Sequence, residues 1–148
     1  MSLLKYCEDL PEISLIPGDY LIREGKKSGR FFVLIEGSFE IIKENLQINK
    51  VSEPGSVFGE ISVLLDIPHL ASVVALDKSR LFVVGNPKEF LRSNNSISYI
   101  ISTILAQRLN TVTSTLIDIR HKLSKSQIME LGYDFNVLVD EVLENLTD

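Results

Sequence analysis

Between residues 13 and 84 the chain alternates short apolar runs, rich in β-branched and aromatic residues, with tight polar breaks. The runs at 13–16, 20–23, 31–36, 39–43, 47–51, 71–76 and 81–84 predict strands. Pro17-Gly18-Asp19, Glu24-Gly25, Ser28-Gly29, Glu36-Gly37 and Pro54-Gly55 predict the turns between them. Two stretches depart from this rhythm: Glu44-Asn45 predicts a hairpin turn, and residues 60–65 predict one or two turns of helix. Short strands at such spacing predict a sandwich, jelly roll or barrel.

After Gly85-Asn86-Pro87 the period changes to that of helices. Pro87 suits a first helical turn and Asn86 its cap, so a short helix is expected to about residue 92. Residues 93–96, Ser-Asn-Asn-Ser, interrupt it and cap the next. Ile97, Ile101, Leu105, Leu109, Val112, Leu116, Ile119 and Leu123 then follow in one stripe, which from Leu109 onward has coiled-coil spacing. A helix of ~25 residues is about 37 Å long, more than a small barrel can cover. Packing on its own barrel remains one reading. The other, which the length favours, pairs Leu105, Leu109, Val112, Leu116 and Ile119 with a second copy in a two-fold dimer.

At 148 residues and 45% hydrophobic, the chain predicts a compact core, and no apolar run reaches the ~20 residues of a membrane span. No signal-peptide pattern opens the chain, and Cys7 is its only cysteine, so a reducing cytoplasmic setting is expected. Charge sharpens the picture. Residues 124–148 hold six acids and one base, Lys125, while the first 123 residues balance. A surface that grips a nucleic-acid backbone carries excess Lys and Arg, so direct nucleic-acid binding is not expected. Nor is catalysis: His69 and His121 are the only histidines, and no nucleophile triad, metal set or Walker motif accompanies them. No cofactor or metal is expected.

Five blocks in order resemble the cyclic-nucleotide-binding domain family of catabolite-activator-type regulators, cyclic-nucleotide-dependent kinases and cyclic-nucleotide-gated channels. Pro17-Gly18 with Glu24-Gly25 is similar to the family's opening turns, and the run from Phe31 to Gly37 to its aromatic strand and turn. Pro54-Gly55 and Phe58-Gly59-Glu60-Ile61 resemble its "PGxxFGE[LI]" block, and residues 61–75 run in register with its cassette pattern. The resemblance implies a mainly β fold: a jelly roll of about eight strands with a short cassette helix and a long C-terminal dimerisation helix. It also implies a ligand set of Phe58, Gly59, Glu60, Ile61, Ser62, His69, Leu70, Ala71 and Ser72, with Thr113 of the long helix reaching the purine across the dimer.

The residues carry their own chemistry beside that resemblance. Gly59 admits close backbone approach, and the start of the 60–65 helix offers free N–H groups to an anion. Glu60 either accepts from a ribose hydroxyl, the role the resemblance assigns it, or caps its own helix. His69 stands where the family has arginine, directly after Pro68. Arginine brings permanent charge and a planar fork, while a neutral imidazole brings one donor and no charge. Three readings of His69 stay open. It is a weaker phosphate contact that strengthens below about pH 6.5, a mark of a pocket retuned to another ligand, or a sign of an empty pocket in a structural domain. Leu70 lacks the hydroxyl that guanine-preferring relatives often carry there, so cAMP is the favoured ligand. Thr111, Thr113, Ser114 and Thr115 form either an exposed polar face or a purine contact.

The final segment resembles helix, turn and helix, but Asp134, Asp140, Glu141 and Glu144 would face phosphates of the same sign. Phe135, Leu138, Val139, Val142, Leu143 and Leu146 instead form an apolar stripe that docks on the barrel, a second subunit or a partner protein. The expected organisation is therefore a cyclic-nucleotide-binding-like domain over 1–123 and an acidic amphipathic segment over 124–148, standing alone without a DNA-binding winged helix. Its expected function is a non-enzymatic regulatory sensor for a cyclic nucleotide or related small anion, a homodimer signalling through its hinge and long helix to a protein partner. The alternative is a ligand-free interaction or dimerisation module of the same fold.

Overall fold

A computed structural model describes residues 2–123, 127 and 133–147. The elements are β1 (Glu12–Leu15), β2 (Tyr20–Ile22), β3 (Phe31–Glu36), β4 (Phe39–Lys43), β5 (Leu46–Val51), β6 (Val57–Phe58), α1 (Glu60–Leu65), β7 (Ser72–Ala75), β8 (Ser79–Val84), α2 (Pro87–Ser93), α3 (Asn95–Lys122) and α4 (Tyr133–Thr147). A 3-10 turn, Leu3–Tyr6, precedes them, with Cys7 buried behind it, where desolvation pushes the thiol pKa up to about 11. By packing, the chain divides into two units, Met1–Ile100 and Ile101–Asp148, a division that falls inside α3.

The first unit holds two four-stranded antiparallel sheets, ordered β1-β8-β3-β6 and β2-β7-β4-β5. The expected β-roll of eight strands is the observed one. Ile22, Phe32, Leu34, Phe39, Phe58, Val73, Ala75 and Leu81 form the core between the sheets. Phe39 of one sheet meets Phe58 of the other with ring centroids 5.2 Å apart. β3 lies between β8 and β6, and its Phe31 packs edge-on against Phe90 of α2 at 5.9 Å, which explains its unbroken apolar run. On β8, Arg80 reaches Glu12 of β1 at 2.8 Å and Glu36 of β3 at 3.1 Å, an ion pair to each neighbouring strand.

Turn chemistry follows the sequence closely. Glu44 and Asn45, at φ 50 and 63, make the two-residue hairpin between β4 and β5. Gly37 sits at φ +107 where a Cβ would stand 2.7 Å from the Ser79 Cα, so β3 can turn into β4 only with glycine there. β6 was not predicted from the hydrophobic pattern, because two residues are too few to show a period. At the start of α2, Asn86 does occupy the cap position but makes no side-chain cap bond. Its Nδ2 donates instead to Glu89 Oε2 at 2.5 Å. Asn94 is extended between α2 and α3, and its Oδ1 accepts from Ser96 N at 2.8 Å.

α3 runs 28 residues, about 42 Å at 1.5 Å per residue. Its stripe is buried at Ile97 and Ile101, half-buried at Leu105 and Leu116, and exposed at Leu109, Val112 and Ile119. Within the second unit, Arg120 of α3 pairs with Asp140 of α4. On α4 Val139 is buried and Leu143 and Leu146 half-buried, while Leu138 and Val142 are exposed. The side chain of Phe135 lies outside the described residues.

Candidate functional site

The 59–72 stretch forms a compact cassette at one end of the roll. Gly59 takes φ +90 immediately before α1, and the space beside its Cα is closed. A Cβ there would stand 3.1 Å from the Arg30 carbonyl, 3.1 Å from Ile22 Cδ1 and 3.3 Å from His69 Cε1. Glu60 follows at 3% exposure, a carboxylate drawn into the protein at the first turn of the helix. Ser62 is buried too, but its hydroxyl is committed: Oγ donates to the Ile67 carbonyl at 2.5 Å and so closes the C-terminal turn of α1. Phe58 contributes its ring to the core, leaving only its backbone for any ligand. Ile61 and Leu70 are exposed, and Ala71 and Ser72 half-buried.

His69 points inward, 5% exposed, rather than out toward solvent. Its Nε2 shares a hydrogen bond with Ser28 Oγ at 2.9 Å. Its backbone is clasped as well, with His69 N donating to the Lys26 carbonyl and Gly25 N donating to the His69 carbonyl, each at 2.8 Å. Burial disfavours the imidazolium and holds the His69 pKa below its ordinary value, so the ring is neutral at pH 7. Burial thus moves protonation of the ring to lower pH than that of a free imidazole.

The loop joining β2 to β3 is stitched to this cassette along its length. Lys27 Nζ reaches Asp66 Oδ1 at 2.7 Å and the Asp66 carbonyl at 2.9 Å, gripping the left-handed residue that ends α1. That lysine holds the Asp66 carboxyl below its usual range. Glu24 N donates to Ser72 Oγ at 2.9 Å. Lys43, on the β4–β5 hairpin, donates to the Leu70 carbonyl at 2.8 Å and lies 3.6 Å from Glu24. Ser28, Arg30 and Lys43 were not among the residues singled out from the sequence. The run of bases between 23 and 30 is a signal that points toward Arg30, and nothing local points to Ser28 or Lys43.

Thr113 lies on α3 in the other unit. Its Oγ1 donates to the Leu109 carbonyl at 2.9 Å, and Thr111 and Thr115 bond back in the same way to Gln107 and Thr111. Such i−4 bonds let hydroxyl side chains sit in a helix with their donors satisfied. Among the described residues no group of three or more His, Cys, Asp or Glu is placed to hold a metal ion, and no helix is long and apolar enough to cross a membrane.

Comparison with known proteins agrees with this geometry. The cAMP-dependent protein kinase regulatory subunit of Yarrowia lipolytica is 34% identical over 68 residues, 46% of this chain and 18% of its own. The cGMP-dependent protein kinase of Plasmodium berghei is 36% identical over 58 residues, 39% of this chain and 7% of its own. The chain therefore spans less than a fifth of either relative. A solved structure of a PKAR CBD2 with Sp-2Cl-cAMPS bound superposes with a TM-score of 0.62 and 26% identity, over 78% of this chain and 75% of that one. The family profile of the cyclic nucleotide-binding domain matches residues 12–92, more than half of the chain, and includes every strand and the whole cassette. This chain belongs to the cyclic nucleotide-binding domain family.

Proposed function

We propose that the chain is a non-enzymatic regulatory sensor that binds a cyclic nucleotide in the cassette, cAMP in preference to cGMP. The observation that carries this reading is the preserved build of the site. Gly59 is left-handed, Glu60 is buried behind it, and residues 69–72 are hydrogen-bonded into place beside them. Glu60 accepts from a ribose hydroxyl, while the backbone N–H groups after Gly59 face the phosphate. Leu70, half exposed at the rim, offers apolar contact and no hydroxyl for guanine. Binding would bias the extended joint at Asn94 between α2 and α3, and through α3 a partner's affinity, provided the ligand prefers one of two arrangements. The exposed Leu109, Val112 and Ile119 support pairing of α3 with a second copy.

The test is isothermal titration of cAMP and cGMP into wild type and His69→Arg. The wild type is expected to bind cAMP more tightly than cGMP. The arginine variant is expected to bind roughly 10- to 150-fold tighter, the range of a hydrogen bond between charged groups. Absence of binding by both proteins to both nucleotides overturns the reading. A second reading, a ligand-free interaction module, draws on the bond that already occupies His69 Nε2. It predicts no binding by wild type, with binding restored in the arginine variant.

A further inference from the structure

We propose that Arg30, on the β2–β3 loop, supplies the fixed positive charge that the cassette lacks at position 69 and contacts the phosphate of the bound cyclic nucleotide. This rests on the reading of the cassette as a cyclic-nucleotide site. The question it answers is where the charge comes from. His69 cannot give it: the ring is buried and neutral, and its Nε2 is taken by Ser28. The cyclic phosphodiester is a monoanion whose charge is shared by two exocyclic oxygens, and left without a cation it would lose the strongest class of contact available to it.

The loop from Arg23 to Arg30 carries four bases, Arg23, Lys26, Lys27 and Arg30, against one acid, Glu24, in a region whose net charge is otherwise slightly negative. Its bonds to Asp66, His69 and Ser72 fix that charge against the cassette rather than leaving it in solvent. The four bases are not equivalent. The Arg23 guanidinium lies 3.8 Å from the Tyr20 ring centroid, and Lys27 is paired with Asp66. Neither Lys26 nor Arg30 forms an ion pair among the described residues.

Both are anchored at the cassette, Lys26 through its carbonyl, which accepts from His69 N at 2.8 Å, but only Arg30 carries a planar fork. The β3–β6 register pairs Phe32 with Phe58 and Val33 with Val57, so the chain just before β3, where Arg30 stands, runs beside Gly59 just after β6. The Arg30 carbonyl stands 3.1 Å from the Cβ position of Gly59, among the three nearest atoms there. Ser28 holds it there: Arg30 N donates to Ser28 Oγ, the same hydroxyl that bonds His69, at 3.3 Å. The exposed guanidinium of Arg30 thus starts from a backbone anchored beside both Gly59 and His69. Its planar fork suits two phosphate oxygens.

The experiment is titration of cAMP at constant ionic strength into wild type, Arg30→Gln and Lys26→Gln, with thermal melts of all three. Arg30→Gln is expected to raise the Kd roughly 10- to 150-fold. Lys26→Gln makes the same charge change in the same loop and is expected to stay within about threefold, as screened charge does. Equal affinity of wild type and Arg30→Gln overturns the assignment while leaving the site reading intact, and so does an equal loss in both variants, which would mean diffuse attraction. A wild type that binds no cyclic nucleotide overturns both. Should Arg30→Gln fail to fold, Arg30→Lys carries the test. It keeps the charge without the fork and is expected to bind several-fold more weakly, and wild-type affinity in that variant overturns the proposal.

Discussion

Replacing Gly59 with alanine tests whether the cassette is as closed as its geometry says. The residue lies at φ +90, where an L-residue costs about 1–2 kcal/mol relative to glycine. The new methyl would stand 3.1 Å from Arg30 O and Ile22 Cδ1 and 3.3 Å from His69 Cε1. These are inside the ordinary 3.5–4.0 Å contact range. Ile22 and His69 can turn slightly, but the Arg30 carbonyl is backbone, so a further cost of about 1–2 kcal/mol, the lower part of the overpacking range, is expected. The sum, about 2–4 kcal/mol, is a large share of a domain's stability, typically ~5–15 kcal/mol. For a unit of this size it corresponds to a Tm lowered by roughly 8–32 °C. Urea unfolding followed by circular dichroism measures it as a lower midpoint at unchanged m. A loss below about 0.5 kcal/mol, within the usual range of surface substitutions, would refute the argument that the cleft is closed at Gly59.

Two further predictions concern titration and assembly. Because the folded-state pKa of His69 is depressed by burial, the unfolded chain binds the proton first as pH falls. His69 therefore contributes stability that is complete above about pH 6.5 and declines as pH falls through that value toward the lower folded-state pKa. Urea midpoints between pH 7.5 and 5 should show this slope, and His69→Gln should reduce it. An undiminished slope would assign the effect to other groups. For the pairing of α3, replacing Leu109 and Val112 together with aspartate should shift sedimentation from dimer to monomer while leaving the melt of the β-roll within a few degrees. An unchanged sedimentation coefficient would place any dimer contact elsewhere.

Much of the first unit was written locally. The strands at 31–36 and 39–43, the Glu44-Asn45 hairpin, the 60–65 helix and the Pro87 start of α2 all appear where residue type and period placed them. Each depends on interactions within a few residues: side-chain alternation, a positive φ, a ring that fixes φ. The cassette was legible through its resemblance to the family pattern, which Gly59, Glu60 and residues 69–72 carry within 14 residues of one another.

What tertiary structure alone decided concerns partners far apart in sequence. The sequence leaves His69 open as a phosphate contact, a mark of a retuned pocket or a sign of an empty one. Folding buries the ring and bonds it to Ser28, 41 residues away, and desolvation then fixes its charge state. Ser62, equally placed by the pattern, gives its hydroxyl to Ile67 and so serves the turn. Arg30 carried no motif at all; only the β3–β6 pairing brings its backbone beside Gly59. A sequence specifies which groups a chain owns and the local geometry they favour. Their charge, solvation and availability to a ligand depend on which distant segment closes over them, and that is settled only when the sheets pack.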